Sequence, residues 1–385
     1  MRKNFLIILF FVTVNSVFSQ VTFIKNLENQ NVTKEKYDSL TNTVSFLPYA
    51  DSLNTYSLWF NFGVTGFRKD TLLTFVSNFK QRFFKPNFPV YTYDHKKYFS
   101  VKSLDYGKKL RVQFLPEHDT VYFSTGFPYS YSDYETFFNA YSDSENIREK
   151  NFFEYSDTLK MPYLTLGNKR YLKRGKKLIW IICRQHAFES VANYVMQGML
   201  EYLFSKECPK KLFRKYTFKI VPMVDIRNVV LGQSGRMGLP VDLNRDWDKT
   251  IRPEIKILKD EITKTADYYH YYMFWDIHGT FPGGDIQQNF SYFSLADIDK
   301  KRKNIHKYWN CFFDFAKFVP TEISDFQKGY DGLTADWWNH LTFPSLEFSS
   351  TLETDWNVNH KFDVYTVEDY YEIGRNMIRA LEKYR

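Results

Sequence analysis

Beyond Tyr131 the chain alternates short, continuously apolar runs with stretches of helical spacing, and this alternation restricts the possible folds more than any other feature. Lys176–Cys183 (KKLIWIIC) is apolar without interruption from Leu178 on, and Glu189–Phe204 then places Val191, Val195, Met199 and Leu203 on one helical face. Phe218–Val224, Tyr272–Ile277 and Phe343–Phe348 repeat the strand signal. Pro253 opens a helix striped by Ile255, Leu258 and Ile262, and Ile373, Met377 and Leu381 stripe a C-terminal one. A strand that is apolar along its whole length is buried on both faces, so helices must cover both. The expected fold is therefore α/β, with a mixed, mostly parallel sheet and helices on both faces.

Before Tyr131 the periodicity is near two. Leu110, Val112 and Phe114 alternate with Arg111 and Gln113, and Val121 and Phe123 resume the pattern after the turn Pro116-Glu117-His118-Asp119. Tyr56–Val64 and Thr71–Phe79 are two further strand-like runs. Short alternating strands separated by turn residues predict an all-β sandwich over residues 20–132, ahead of the α/β domain over 133–385. Three cysteines among 385 residues, at spacings that match no zinc ribbon or redox pair, exclude a disulfide scaffold.

Residues 1–19 fit neither domain. Arg2 and Lys3 precede an apolar run from Phe5 to Val14, well short of the roughly 20 residues that span a bilayer. Val17 and Ser19 then supply small residues before Gln20. This is the pattern of a removable signal peptide, and it predicts a protein exported to the periplasm or the medium without stable membrane insertion. Removal of Arg2 and Lys3 lowers the net charge from +8 to +6, which weakens the case for a nucleic-acid partner.

Chemistry-bearing residues fall at or after the ends of the α/β strands, where open sheets of this class bind ligands. His186 and Glu189 stand in Arg184-Gln185-His186-Ala187-Phe188-Glu189, His278 ends Phe274-Trp275-Asp276-Ile277-His278, and Glu347 lies near the end of Phe343–Glu347. Two imidazoles and a carboxylate make a three-ligand zinc site with one position open, so His186, Glu189 and His278 are the expected ligands of a single zinc ion. A separate carboxylate must take the proton from water, and Glu347 is the candidate general base. Asp242, in Asp242-Leu243-Asn244-Arg245-Asp246-Trp247, is placed to orient His186.

This ordered set resembles the zinc carboxypeptidase family, most closely its cytosolic-carboxypeptidase branch, in which a β-sandwich precedes the peptidase domain. Leu58–Gly66 (LWFNFGVTG), Asp119–Tyr131 (DTVYFSTGFPYSY), Arg184–Ser190 (RQHAFES) and Val241–Asp248 (VDLNRDWD) carry the likeness. The resemblance implies a metallocarboxypeptidase acting on the C-termini of peptides or proteins. It implies that Asn244 and Arg245 hold the substrate's terminal carboxylate, that Arg236 stabilises the oxyanion, and that Tyr330 is the mobile tyrosine of the substrate site. Three departures stand out. Ala187-Phe188 replaces the usual Pro-Gly of the metal turn, which places a bulky ring at the expected pocket rim. Asp225-Ile226-Arg227-Asn228 replaces Asn-Pro-Asp-Gly, and Tyr330 precedes Glu347 by 17 residues where the family has roughly two dozen.

Two other functions use the same residues: a cell-wall peptide hydrolase or amidase, and a relative that binds zinc or peptide without turnover. The tract Gly329–Trp337 is expected to line the specificity pocket. Its apolar members favour neutral side chains, whereas an inward-facing Asp331 or Asp336 would select Lys or Arg.

Overall fold

The computed structural model describes residues 20–79, 88–105, 109–154, 160–167, 176–280, 292–295, 298–313, 322–324, 332–359 and 363–384. The candidate export segment and Tyr330 and Asp331 lie outside these residues.

Among the described residues, nine strands form the N-terminal region: β1 (Thr22–Ile24), β2 (Thr33–Asp38), β3 (Thr43–Leu47), β4 (Asn61–Thr65), β5 (Leu73–Asn78), β6 (Val90–Thr92), β7 (Tyr98–Ser100), β8 (Lys109–Phe114) and β9 (Thr120–Ser124). They make two sheets, ordered β1-β4-β9-β6-β7 and β2-β3-β5-β8. Alternation is strict in β8, whose Leu110, Val112 and Phe114 face inward. Aromatic rings fill the space between the sheets: Phe75 stacks on Phe123 at 4.3 Å between centroids, and Phe46 meets Phe62 at 4.8 Å. Much of the 19% aromatic content thus serves as core filler.

The remainder comprises α1 (Tyr131–Ala140), β10 (Ile147–Glu154), β11 (Lys160–Leu166), β12 (Lys177–Cys183), α2 (Val191–Phe204), α3 (Lys210–Lys215), β13 (Tyr216–Val221), α4 (Ile226–Val230), α5 (Pro253–Tyr268), β14 (His270–Gly279), β15 (Tyr292–Leu295), α6 (Ile298–Phe313), β16 (Glu322–Ser324), α7 (Ala335–Thr342), β17 (Phe348–Thr354) and α8 (Val367–Lys383). One eight-stranded sheet has the order β10-β11-β13-β12-β14-β17-β15-β16. Its middle strands β13, β12, β14 and β17 run parallel, and both flanks include antiparallel pairs. Every residue of β13, and every residue of β12 beyond Lys177, is buried, so both faces of the sheet are covered. The expected mixed, mostly parallel α/β sheet preceded by an all-β region is the fold observed. No helix among the described residues is long and apolar enough to cross a membrane.

The last parallel strand departs from expectation. The apolar run Phe343–Phe348 is not a strand; helix α7 ends at Thr342, a turn follows, and the strand starts at Phe348. It continues through Ser349, Ser350 and Thr351, which are all buried.

Candidate metal centre

The parallel strands β12, β14 and β17 all end at one edge of the sheet, and their register decides what meets there. Cys183 pairs with Ile277, and His278 pairs with Glu353. The chain leaves β12 through Arg184, which has a left-handed φ of 64° and a buried guanidinium. That strained residue is held from both sides: its Nε donates to Ala187 O in the turn (2.7 Å) and its Nη1 to Asn193 Oδ1 in α2 (2.6 Å). The turn brings His186 and Glu189 to the same point, just ahead of α2.

His186, Glu189 and His278 offer one ligand atom each, all within 4.8 Å of one another, and all three residues are buried. Glu189 Oε1 lies 2.8 Å from His186 Nδ1 and Oε2 lies 2.7 Å from His278 Nδ1. The opposite nitrogens turn outward to carboxylates: His186 Nε2 to Asp242 Oδ1 at 3.0 Å, and His278 Nε2 to Asp276 Oδ2 at 2.9 Å. Both Nδ1 atoms therefore face the common point with their far nitrogens already engaged, the arrangement that fixes the orientation of metal-binding imidazoles. The donor set and this outer pair of carboxylates fit a zinc ion.

The electrostatics follow from burial against charge. Burial alone would depress both imidazole pKa values, but Asp242 and Glu189 hold His186 above the usual value, and Asp276 and Glu189 hold His278 well above it. Burial would raise the two carboxyls, yet His186 and His278 hold Glu189 well below its normal range, and His186 does the same to Asp242. Glu353, level with His278 on the neighbouring strand, goes the other way. Burial and the Glu189 charge push it up to about 7 against the opposing pull of His278.

Further expected residues gather around this centre. Arg236 Nη1 lies 3.2 Å from His186 Nε2, and its Nε lies 3.8 Å from Asp242 Oδ2. Asp242 caps the short turn Leu243–Arg245 through Asn244 N–H (2.9 Å), and Asn244 Nδ2 stands 3.4 Å from His278 Nε2. The Asn244 carboxamide also accepts from Ala335 N–H at 2.9 Å, and Leu333 O accepts from Trp247 N–H at 3.3 Å. The tract that begins at Gly332 thus packs on Asn244 and Arg245. Within it Asp336 is buried, accepts from Thr334 Oγ1 at 2.5 Å, and is pushed up to about 6 by that burial.

Two expectations need correcting. Glu347 is not at this edge. It precedes the first residue of β17, where its N–H bonds Tyr272 O and its carboxylate accepts from Tyr384 Oη at 2.5 Å. Six residues of strand, about 20 Å at about 3.3 Å each, separate its level from that of His278. Phe188 is not at a pocket rim either, because it is buried and stacked on Trp356 at 6.0 Å between ring centroids.

Sequence reasoning missed Glu353, Asp276 and Gln185. Gln185 ties the site to its surroundings, donating to Asp276 Oδ2 and accepting from Trp247 Nε1. Asp276 had a usable signal, since residues two apart on a strand face the same side and Asp276 shares its face with His278. Glu353 had the same kind of signal only once the strand was placed correctly.

Residues 158–294 match the zinc carboxypeptidase family model. An uncharacterized protein of Zymomonas mobilis is 25% identical over 293 residues, covering 73% of this chain and 72% of that protein. Cytosolic carboxypeptidase 3 of Bos taurus is 24% identical over 178 residues, 43% of this chain, and the match spans only 18% of that larger relative. A metallo-carboxypeptidase structure from Burkholderia cenocepacia superimposes with a TM-score of 0.81 at 21% identity, covering 95% of this chain and 99% of that one. A Pseudomonas aeruginosa metallo-carboxypeptidase in complex with (2-guanidinoethylmercapto)succinic acid gives 0.79 at 18% identity, covering 94% and 98%. These likenesses establish the shared fold.

Proposed function

We infer that this chain, which carries a zinc carboxypeptidase domain and is a metallopeptidase, releases residues one at a time from the free C-termini of peptides, with Glu353 as its general base. One observation carries the reading: parallel register sets Glu353 beside His278, at the edge where His186 and Glu189 converge. His186, Glu189 and His278 would hold one zinc ion, which supplies a Lewis acid for the scissile carbonyl and acidifies water.

The protein's own groups then divide the work. Asp242 and Asp276 keep both imidazoles turned with Nδ1 inward. Glu353, level with His278 on the neighbouring strand, accepts the proton of the attacking water and returns it to the departing amine. Arg236, beside His186, is placed to stabilise the oxyanion that forms as the carbonyl is attacked. Asn244 and Arg245, on the turn capped by Asp242, hold the terminal carboxylate, for which a guanidinium fork is well shaped. A preference for neutral C-terminal side chains goes with this reading, because Asp336 is engaged inside the fold by Thr334. The reading includes export through residues 1–19, which N-terminal sequencing of the mature protein would test by finding Gln20 first.

The deciding assay offers zinc-loaded protein a peptide with a free C-terminus and its amidated twin, with products identified by mass. Loss of one terminal residue from the free peptide alone is expected. Equal turnover of the two would overturn the exopeptidase reading and favour an amide hydrolase of another kind.

A further inference from the structure

The loop that carries Arg236 belongs to the α/β domain, yet the N-terminal sandwich holds it. We propose that the sandwich segment Asp51–Tyr56 is a positioning element of the active site, with Asn54 its central residue, acting on catalysis through Arg236. The proposal rests on the role assigned to Arg236 above.

The observations concern both sides of Arg236. On its N-terminal side, Ser234 Oγ donates to Tyr56 O (2.7 Å) and Gly235 N–H donates to Asn54 Oδ1 (3.0 Å). On its C-terminal side, Thr55 Oγ1 donates to Met237 O (2.7 Å), and Leu239 N–H donates to Leu53 O (2.8 Å). Asn54 is buried, and its amide nitrogen reaches across to Asn228 Oδ1 at 3.0 Å. One side chain therefore joins the sandwich, the helix α4 and the arginine loop.

The opposite flank of the loop is equally tight. Phe188 N–H, in the metal turn, donates to Ser234 O at 3.0 Å. Gly235 has a φ of +69°, and a Cβ there would sit 2.2 Å from Asp225 Oδ2 and 2.8 Å from Ala187 N. The loop backbone is thus clamped between the metal turn and the sandwich. A single-residue displacement on the sandwich side has no room to relax toward the zinc ligands, so it moves the Arg236 guanidinium. Misplacing a charge-stabilising group by about 1 Å costs on the order of 10²-fold in rate even when the change is remote.

A double-mutant cycle on the full, zinc-loaded chain tests this with a peptide carrying a free C-terminus. Asn54→Ala is expected to lower kcat about 10-fold with KM within about 2-fold, because the oxyanion exists only beyond the ground state. In an Arg236→Ala background the same substitution is expected to change kcat less than about 2-fold, since its route of action is already gone. A role in general folding would instead lower kcat by the same factor in both backgrounds, and that result would overturn the proposal while leaving the reading of Arg236 intact. Wild-type kcat in Arg236→Ala would overturn both. Should Asn54→Ala fail to fold, Thr55→Val takes its place in the cycle, since Thr55 is exposed and loses one hydrogen bond to Met237. A smaller loss of kcat that vanishes in the Arg236→Ala background is then expected, and equal losses in both would again refute the proposal.

Discussion

Two glutamates six residues apart make opposite predictions. Glu353 is level with His278, and Glu347 lies about 20 Å away along the same strand direction, hydrogen-bonded to Tyr384. Glu353→Gln keeps the shape of the side chain and removes its basicity. A general base contributes about 10²- to 10⁴-fold, which at about 1.4 kcal/mol per decade is a barrier increase of roughly 3–5 kcal/mol. The loss should fall on kcat, with one zinc still bound, because Glu353 is not among the three clustered ligand residues. Glu347→Gln weakens one partly exposed, charge-assisted hydrogen bond and should cost about 1 kcal/mol of stability, a few degrees in Tm, with kcat within about 2-fold. Steady-state hydrolysis of a C-terminally free peptide, run beside thermal unfolding, separates the two. Glu353→Gln retaining kcat within about 10-fold would refute the assignment, and so would Glu347→Gln abolishing turnover at unchanged Tm.

Four further outcomes are expected. Asp276→Asn removes the carboxylate that orients His278 and should weaken zinc binding about 10- to 100-fold in a chelator competition. Zinc binding should also weaken as pH falls, because the neighbouring carboxylates raise both imidazole pKa values and the rings must lose their protons to bind. Arg245→Ala should cost about 10- to 100-fold in kcat/KM on free C-termini and little on any residual cleavage of amidated ones. The pKa of Asp336 is raised from 3.8 to about 6, so the folded state binds the proton more tightly than the unfolded one, and stability falls as pH rises between those values. Asp336→Asn should remove that fall, worth at most about 3 kcal/mol, raising Tm above wild type near pH 8 but not near pH 4.

The legible parts of the site were those whose geometry is local. His186 and Glu189 are joined by a single turn, and the apolar run Tyr272–Ile277 lies within β14, so His278 follows directly from it. The carboxylate proposed as general base falls elsewhere than the sequence suggested, for a physical reason. Ser349, Ser350 and Thr351 are polar but buried, so β17 does not announce itself by hydropathy, whereas the turn Phe343–Glu347 is apolar enough to imitate a strand. The family match ends at residue 294 and so does not reach Glu353 either. The ties between Asp51–Tyr56 and the Arg236 loop span about 180 residues of chain, for example from Asn54 to Gly235, and no periodicity within either segment points to the other.

The pairing of His278 with Glu353 has a consequence for how this enzyme can change. Their separation is set by the hydrogen-bonded ladder between two neighbouring strands in the middle of the sheet, not by the packing of any loop. The Gly332 tract, which meets Asn244 and Arg245 from outside the ladder, is free of that constraint. Segments grafted there can vary in length and composition while Glu353 and His278 keep their spacing. Libraries aimed at new substrates should therefore be built into that tract and should spare β14 and β17, where a one-residue slip of either strand would turn its side chain to the opposite face of the sheet.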